Sequence, residues 1–288
     1  MSVEKPLALC ILNCYPRPSR EGFDRDDVGH PHDFFKAFLA RYAPNAKADV
    51  VFAADADAAL PKGAALGSYD GFIWTGSDLT AYHEHDERVT RQIALARELY
   101  KAGVPCCGSC WAVQIAAVAA GGEVRKNPNG REWGVARDIT VTEAGRGSRL
   151  LAGKPERYDG FIMHLDEVSR LPPGAALLAT NAHTRVQALE IRHGKGVFWS
   201  TQYHPEYDLL EMARLVAARA APMVKEGLFA AEDQVRAHAG KMKALHADPG
   251  SERLRRELEA GDDILDPLVR QVELRNWIDY VASPPESR

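Results

Sequence analysis

The sequence predicts an α/β protein: a doubly wound, mostly parallel sheet flanked by helices, followed by a helical extension. Three observations carry this. Short apolar runs that would be buried on both faces, as parallel strands are, alternate with helical patterns over residues 7–121. A strand-like run ends in the tight turn Gly108-Ser109-Cys110-Trp111 and continues as an Ala/Val/Ile-rich helix. Beyond Gly227 the texture changes to charged helical segments. The expected organisation is therefore a domain over 1–227 and a helical extension over 228–288.

Taken in order, Leu7–Cys14 reads as a central strand and 15–32 as a long, Pro- and Arg-rich loop. Phe34, Phe35, Phe38 and Leu39 have helical spacing within 32–42. Asp49–Ala53 and Tyr69–Trp74 read as strands, the second ending in Thr75-Gly76-Ser77. Asp86–Ala102 reads as an amphipathic helix stopped by Gly103. From 123 to 201 short β-like pieces alternate with turns and end in a hairpin about His193-Gly194-Lys195-Gly196. The run Gln202-Tyr203-His204-Pro205-Glu206 follows, then a helix over 209–225. In the extension, Leu268, Val272, Trp277 and Val281 form a loose apolar stripe, expected to pack on the domain surface; the alternative is a subunit or partner contact.

Composition narrows the function classes. With 288 residues, 45% of them apolar, the chain can bury a sizeable core. A net charge of −4 argues against nucleic-acid or membrane-surface partners. The apolar run Leu7–Leu12, preceded by Glu4, is too short for a secretory leader or a membrane span. The five cysteines, Cys10, Cys14, Cys106, Cys107 and Cys110, sit in or beside strands, which fits a reducing cytoplasm better than a disulfide framework. No glycine-rich nucleotide loop appears, so no cofactor is expected. His83-Glu84-His85-Asp86 could hold a metal but reads more simply as a polar loop with Asp86 capping a helix. His30-Pro31-His32 is a weaker signal of the same kind.

The chemistry concentrates at two places. A cysteine at an elbow between strand and helix sits at the positive end of a helix dipole, with a backbone N–H beside it for an oxyanion. That local pattern alone does not separate a nucleophile from a buried thiol. Cys107 and Cys110 also form a C-x-x-C, although Cys107, inside the strand, should point away from the turn. His204 and Glu206 are two residues apart in an extended segment stiffened by Pro205, so their side chains face the same way. A cysteine hydrolase needs this set: a thiolate, a base that also protonates the leaving group, and an orienter for the base.

These two motifs resemble those of the class I, triad-type glutamine amidotransferases, whose elbow reads G-x-C-x-G-x-Q and whose second motif reads Q-x-H-P-E. Gly108, Cys110 and Gln114 match the first; Gln202, His204, Pro205 and Glu206 match the second. The resemblance covers about residues 7–225 and is nearest to stand-alone proteins like the amidotransferase part of GMP synthase. It implies a flavodoxin-like fold and a Cys110–His204–Glu206 triad that hydrolyses a γ-glutamyl amide through a glutamyl thioester. It also implies an oxyanion hole from the backbone at Gly76, Ser77 and Trp111. Gln114, His164 of the family-like H-x-D-x-V stretch and Tyr203 would then bind substrate. The implied ligand is glutamine or a γ-glutamyl small molecule. A separate synthetase subunit and a homo-oligomer both remain open, since the chain has no synthetase motif. Two departures stand out. The family's glycine after the nucleophile is Ala112, and the oxyanion turn reads Thr75-Gly76-Ser77-Asp78 where Gly-Gly-Pro is usual. Bulky Trp111 is expected to narrow or cover the pocket. Besides the glutaminase reading, a γ-glutamyl hydrolase or peptidase and a non-catalytic binding module fit the same scaffold.

Overall fold

Leu9 and Ile11 face one apolar core while Cys10 and Leu12, one residue away, face another. That alternation is what a strand covered on both sides requires. The computed structural model describes residues 6–284; Glu4, used above in reading the amino-terminal run, lies outside them. The strands are β1 (Ala8–Asn13), β2 (Lys47–Phe52), β3 (Gly71–Trp74), β4 (Cys106–Ser109), β5 (Glu123–Lys126) and β6 (Glu132–Val141). They continue with β7 (Arg157–His164), β8 (Asp166–Arg170), β9 (Ala175–Thr180), β10 (Ala188–His193) and β11 (Gly196–Thr201). Nine of them form one sheet in the order β2-β1-β3-β4-β11-β10-β9-β6-β7, and β5 pairs with β8. The run β2-β1-β3-β4-β11 is parallel throughout. The remaining strands extend it antiparallel through the β10–β11 hairpin. The fold class is the expected one.

The helices of the first half are α1 (Arg17–Arg25), α2 (Pro31–Tyr42), α3 (Glu87–Ala102), α4 (Trp111–Ala119) and α5 (Glu143–Arg146). Helices α3 and α4 cover one face of the sheet; α2 covers the other. Asp86 caps α3 by accepting from the Arg88 N–H, and Gly103 ends it at φ 73°, in the left-handed region. Residues 15–32 are not the loop that was expected. Pro18, within the first turn of α1, costs no helical hydrogen bond there. Arg20 then ties α1 to the end of β2 through a two-pronged pair with Asp55 at 2.7 and 3.1 Å. With Phe23 as its only large buried apolar residue, the helix has little periodic signal.

The second half adds α6 (Leu209–Ala218), α7 (Ala220–Lys225), α8 (Glu232–Ala247), α9 (Glu252–Leu258), α10 (Asp262–Leu265), α11 (Pro267–Arg270) and α12 (Val272–Ala282). The single helix expected over 209–225 is broken at Arg219, because Pro222 has no N–H to give the carbonyl of Ala218. Helix α8 buries Val235, Ala239, Met242 and Leu245 against Leu209, Met212 and Val216 of α6.

The carboxyl-terminal stripe divides. Leu268 is exposed, but Val272, Trp277 and Val281 are buried. Helix α12 does not rest on a finished surface. It completes the α2 face of the sheet, with Trp277 so close over β3 that a methyl group on Gly71 would lie 2.7 Å from the indole. It also carries Glu273, which meets Lys154 at 2.9 Å with both side chains about 1% exposed. Glu273 further accepts from the hydroxyl of Tyr203, itself 2.8 Å from that of Tyr158. Removing one partner of a buried ion pair leaves a charge without compensation, whereas replacing both does not. Glu273→Leu should therefore lower unfolding free energy by about 3–5 kcal/mol, and Lys154→Met with Glu273→Leu should recover most of it. Urea titrations of the two variants and the unaltered protein check this; a double variant no better than the single would show that the charges are not coupled.

Candidate active site

The carboxyl ends of β3, β4 and β11 meet at one rim, where ligands bind in parallel sheets. Strand β4 is only four residues long, and its successor Cys110 sits at φ 55°, ψ −98°. A non-glycine residue held there is strained, and the surroundings must enforce it. The Cys110 N–H donates to Thr201 O at 2.7 Å, and α4 begins one residue later. The turn closes because Gly108 has no side chain: a methyl group there would lie 2.2 Å from Trp74 O and 2.6 Å from Ala112 Cβ.

From β11 the chain delivers His204, whose N–H donates to Phe161 O at 2.7 Å. The imidazole Nδ1 is 2.7 Å from Glu206 Oε1, and the Ser109 hydroxyl donates to the same oxygen at 2.6 Å. The ring of Tyr207 stacks on that of His204 at 4.1 Å, nearly parallel. Burial opposes a charged imidazole, but the Glu206 carboxylate and the hydrogen bond to Cys110 outweigh it, raising the His204 pKa to about 10. Gly76 closes the group. A methyl group on it would stand 3.1 Å from His204 Cε1, 3.4 Å from the Tyr15 hydroxyl and 3.7 Å from Cys110 Cβ. Cys110, His204 and Gly76 thus converge, with Glu206 behind His204. Ser109, Tyr15 and Tyr207 belong to the same cluster and went unnoticed in the sequence. Only Ser109, next to the elbow cysteine, offered a local signal.

A cavity of about 340 Å³ opens onto Cys110 and His204, a size suited to a small molecule. Gln114 and His164 line it. Gln114 donates to Asp166 O at 3.1 Å, and His164 is held between Asp166 O at 2.8 Å and Glu132 Oε2 at 3.1 Å. Ser77 lines it too, its hydroxyl turned to Cys14 O at 2.8 Å. As the first residue of α4, Trp111 has a backbone N–H with no acceptor inside the helix.

Two expectations fail. The side chain of Trp111 does not reach the cavity; it packs between α3 and α4, and its indole N–H donates to Gln92 Oε1 at 2.8 Å. Tyr203 does not line the cavity either. As the neighbour of His204 in extended chain it points to the opposite side, toward Glu273. Cys107 lies in the core on the α2 face, its thiol pushed well up by burial, away from the cavity that Cys110 lines. Cys10 and Cys14 are likewise raised by burial, each to about 12. In the His83–Asp86 segment, Asp86 is engaged as the α3 cap.

The fold and this cleft describe an α/β enzyme with an elbow cysteine, and sequence comparison supplies the family. Residues 36–219 match the model for the class-I glutamine amidotransferases. The chain belongs to that family and is an amidotransferase-like hydrolase of carbon–nitrogen amide bonds. A γ-glutamyl-L-1-hydroxyisopropylamide hydrolase of a Pseudomonas species is 31% identical over 287 residues, 98% of this chain and 95% of that protein. A GMP synthase of Leifsonia xyli is 31% identical over 199 residues, 67% of this chain but only 37% of that protein, so the chain spans little more than a third of it. Among solved structures, a glutamine amidotransferase from Thermotoga maritima shares the fold with a TM-score of 0.66 at 18% identity, covering 97% of this chain and all of that one. One from Methylobacillus flagellatus gives 0.58 at 22% identity, covering 96% and 92%. No helix among the described residues is long and apolar enough to cross a membrane.

The raised histidine makes stability depend on pH. Its folded pKa of about 10 exceeds the ordinary 6.5, so its contribution is full below 6.5 and is lost as pH rises through 10. One proton limits the slope to about 1.4 kcal/mol per pH unit. Denaturant unfolding across this window should show declining stability, and Glu206→Gln should flatten the decline. An unchanged slope in that variant would assign the proton to another group.

Proposed function

We propose that this protein hydrolyses the γ-amide bond of a γ-glutamyl compound of a small amine, with Cys110 as nucleophile. The observation that carries the reading is the convergence of Cys110 and the Glu206-oriented His204 on one small cavity. Cys110 sulfur attacks the γ-carbonyl carbon, and the oxyanion is met by backbone N–H groups at Gly76–Ser77 and Trp111. The C–N bond breaks as His204 gives its proton to the leaving nitrogen, leaving a glutamyl thioester on Cys110. Water, losing a proton to His204, then attacks the thioester; glutamate leaves and the thiol is restored. Glu206 fixes the imidazole orientation and balances its charge. Gln114 and His164 contribute to the glutamyl side of the pocket. Trp111 supplies its backbone and not its ring, so it does not restrict the substrate.

A small-amine amide is favoured over glutamine alone because the Pseudomonas hydrolase aligns with nearly the whole chain, helical extension included. We read 228–288 accordingly as an extension of the 1–227 domain that completes one face of its sheet. The second reading is a glutaminase supplying ammonia to a separate synthetase. It is supported by the GMP synthase, most of whose length has no counterpart here. Five free, buried cysteines favour a reducing compartment such as the cytoplasm.

Cys110→Ala should reduce glutamate release from γ-glutamyl amides at least ~10³-fold, the scale of removing a nucleophile. The assay is a panel of γ-glutamyl amides and glutamine, with purified enzyme. Full activity in the variant would sink the nucleophile assignment. Turnover of glutamine only after a synthetase is added would favour the second reading.

A further inference from the structure

The cavity has two unlike walls. Gln114, His164 and Asp166, tied together by hydrogen bonds, form one; Tyr207, Leu215 and Met223, all downstream of His204 and packed in one apolar cluster, form the other, with Arg219 between Leu215 and Met223 in the chain. The charges are also unequal in their commitments. Arg131 is held by Glu226 at 2.7 and 3.0 Å, and Asp78 accepts from the Ser19 hydroxyl at 2.6 Å. The half-buried guanidinium of Arg219 has no acceptor among the described residues. Its charge reaches the Tyr15 hydroxyl and Glu211, but it is paired with neither.

Arg219 stands where α6 breaks into α7, so the Pro222 interruption is what brings it to the cavity wall. A guanidinium withdrawn from bulk water and left without an anion is unfavourable unless a ligand supplies one. Its planar fork matches a carboxylate with two parallel hydrogen bonds. The position in the cavity says which end of the substrate that carboxylate belongs to. His204 must touch the nitrogen it protonates, so the leaving amine lies on the His204 side. Tyr207 is stacked on His204, and Arg219 shares its wall and lies within electrostatic reach of Tyr15 beside Gly76. Leu215 and Met223 on the same wall offer apolar contact for a short aliphatic spacer.

We infer that Arg219 selects the leaving group, and that the preferred substrates are γ-glutamyl amides of amino acids, whose departing amine carries a carboxylate. This rests on the hydrolase reading given above and names its substrate class. Arg219 acts in specificity and takes no part in bond breaking.

The test compares γ-glutamyl-β-alanine with its uncharged isostere γ-glutamyl-β-alaninamide, measuring kcat/KM from glutamate release. The full-length enzyme should prefer the acid by about tenfold or more, the scale of one charge-assisted pair. Arg219→Gln should bring the acid-to-amide ratio down by a similar factor, and Arg219→Lys should restore part of it. A ratio unchanged in Arg219→Gln, with both substrates slowed alike, would place Arg219 at the glutamyl end or in a structural role and overturn the inference. So would a preference of the unaltered enzyme for the neutral amide, the kind of substrate in the Pseudomonas relative's name. Release of glutamate from neither compound, or equal release by Cys110→Ala, would instead overturn the hydrolase reading, and this inference with it.

Discussion

The absence of a side chain at Gly108 is the constraint on which the site depends. With Trp74 O and Ala112 Cβ both inside the space a methyl group would need, helix α4 lies hard against the end of β4. That leaves Cys110 to turn the chain at positive φ, anchored by Thr201 O. The same anchor belongs to β11, three residues before His204, and the other neighbour, β3, ends two residues before Gly76. Cys110, His204 and Gly76 are therefore positioned by adjacent strands of one parallel ladder, and an error in one propagates to the others. Ala112, where the family's elbow has glycine, is small enough to pack on Gly108 without opening this gap.

The electrostatics follow from burial. Glu206 is nearly inaccessible, yet it is anchored by Ser109 and His204 on one oxygen while the other has no partner among the described residues. In such surroundings the attraction between carboxylate and imidazolium is scarcely screened, which is why a histidine whose burial should lower its pKa has it raised instead. Stacked Tyr207 covers the ring and keeps water from competing for it.

How legible this was depended on the range of the interaction. Strands β1, β3 and β4 announced themselves because they are buried on both faces, and Cys110, His204 and Glu206 because their motifs are local. The strand period also held information that went unused: Tyr203, one residue from His204, had to face away from the cavity. Trp111 was misjudged for a different reason. Its bulk was visible, but not that Gln92, on another helix, would draw its indole N–H behind the elbow. Helix α1 was missed because a long-range ion pair, not an apolar stripe, holds it in place. The extension's role was hidden for the same reason: its key contact joins Lys154 to Glu273, 119 positions apart.

That buried pair also sets an order on the molecule's own making. Chains emerge from the ribosome amino end first. His204 and Glu206 are thus built into the polypeptide while Lys154 still lacks the acid that neutralises it. A nascent chain at that stage possesses Cys110, His204 and Glu206 and yet has an uncovered sheet face and an ammonium group without its carboxylate. Helix α12 resolves both together, covering the sheet face and bringing Glu273 to Lys154 and to Tyr203, the neighbour of His204. The cluster around Cys110 and His204 thus reaches its finished surroundings late in biosynthesis, after its own members have already been translated.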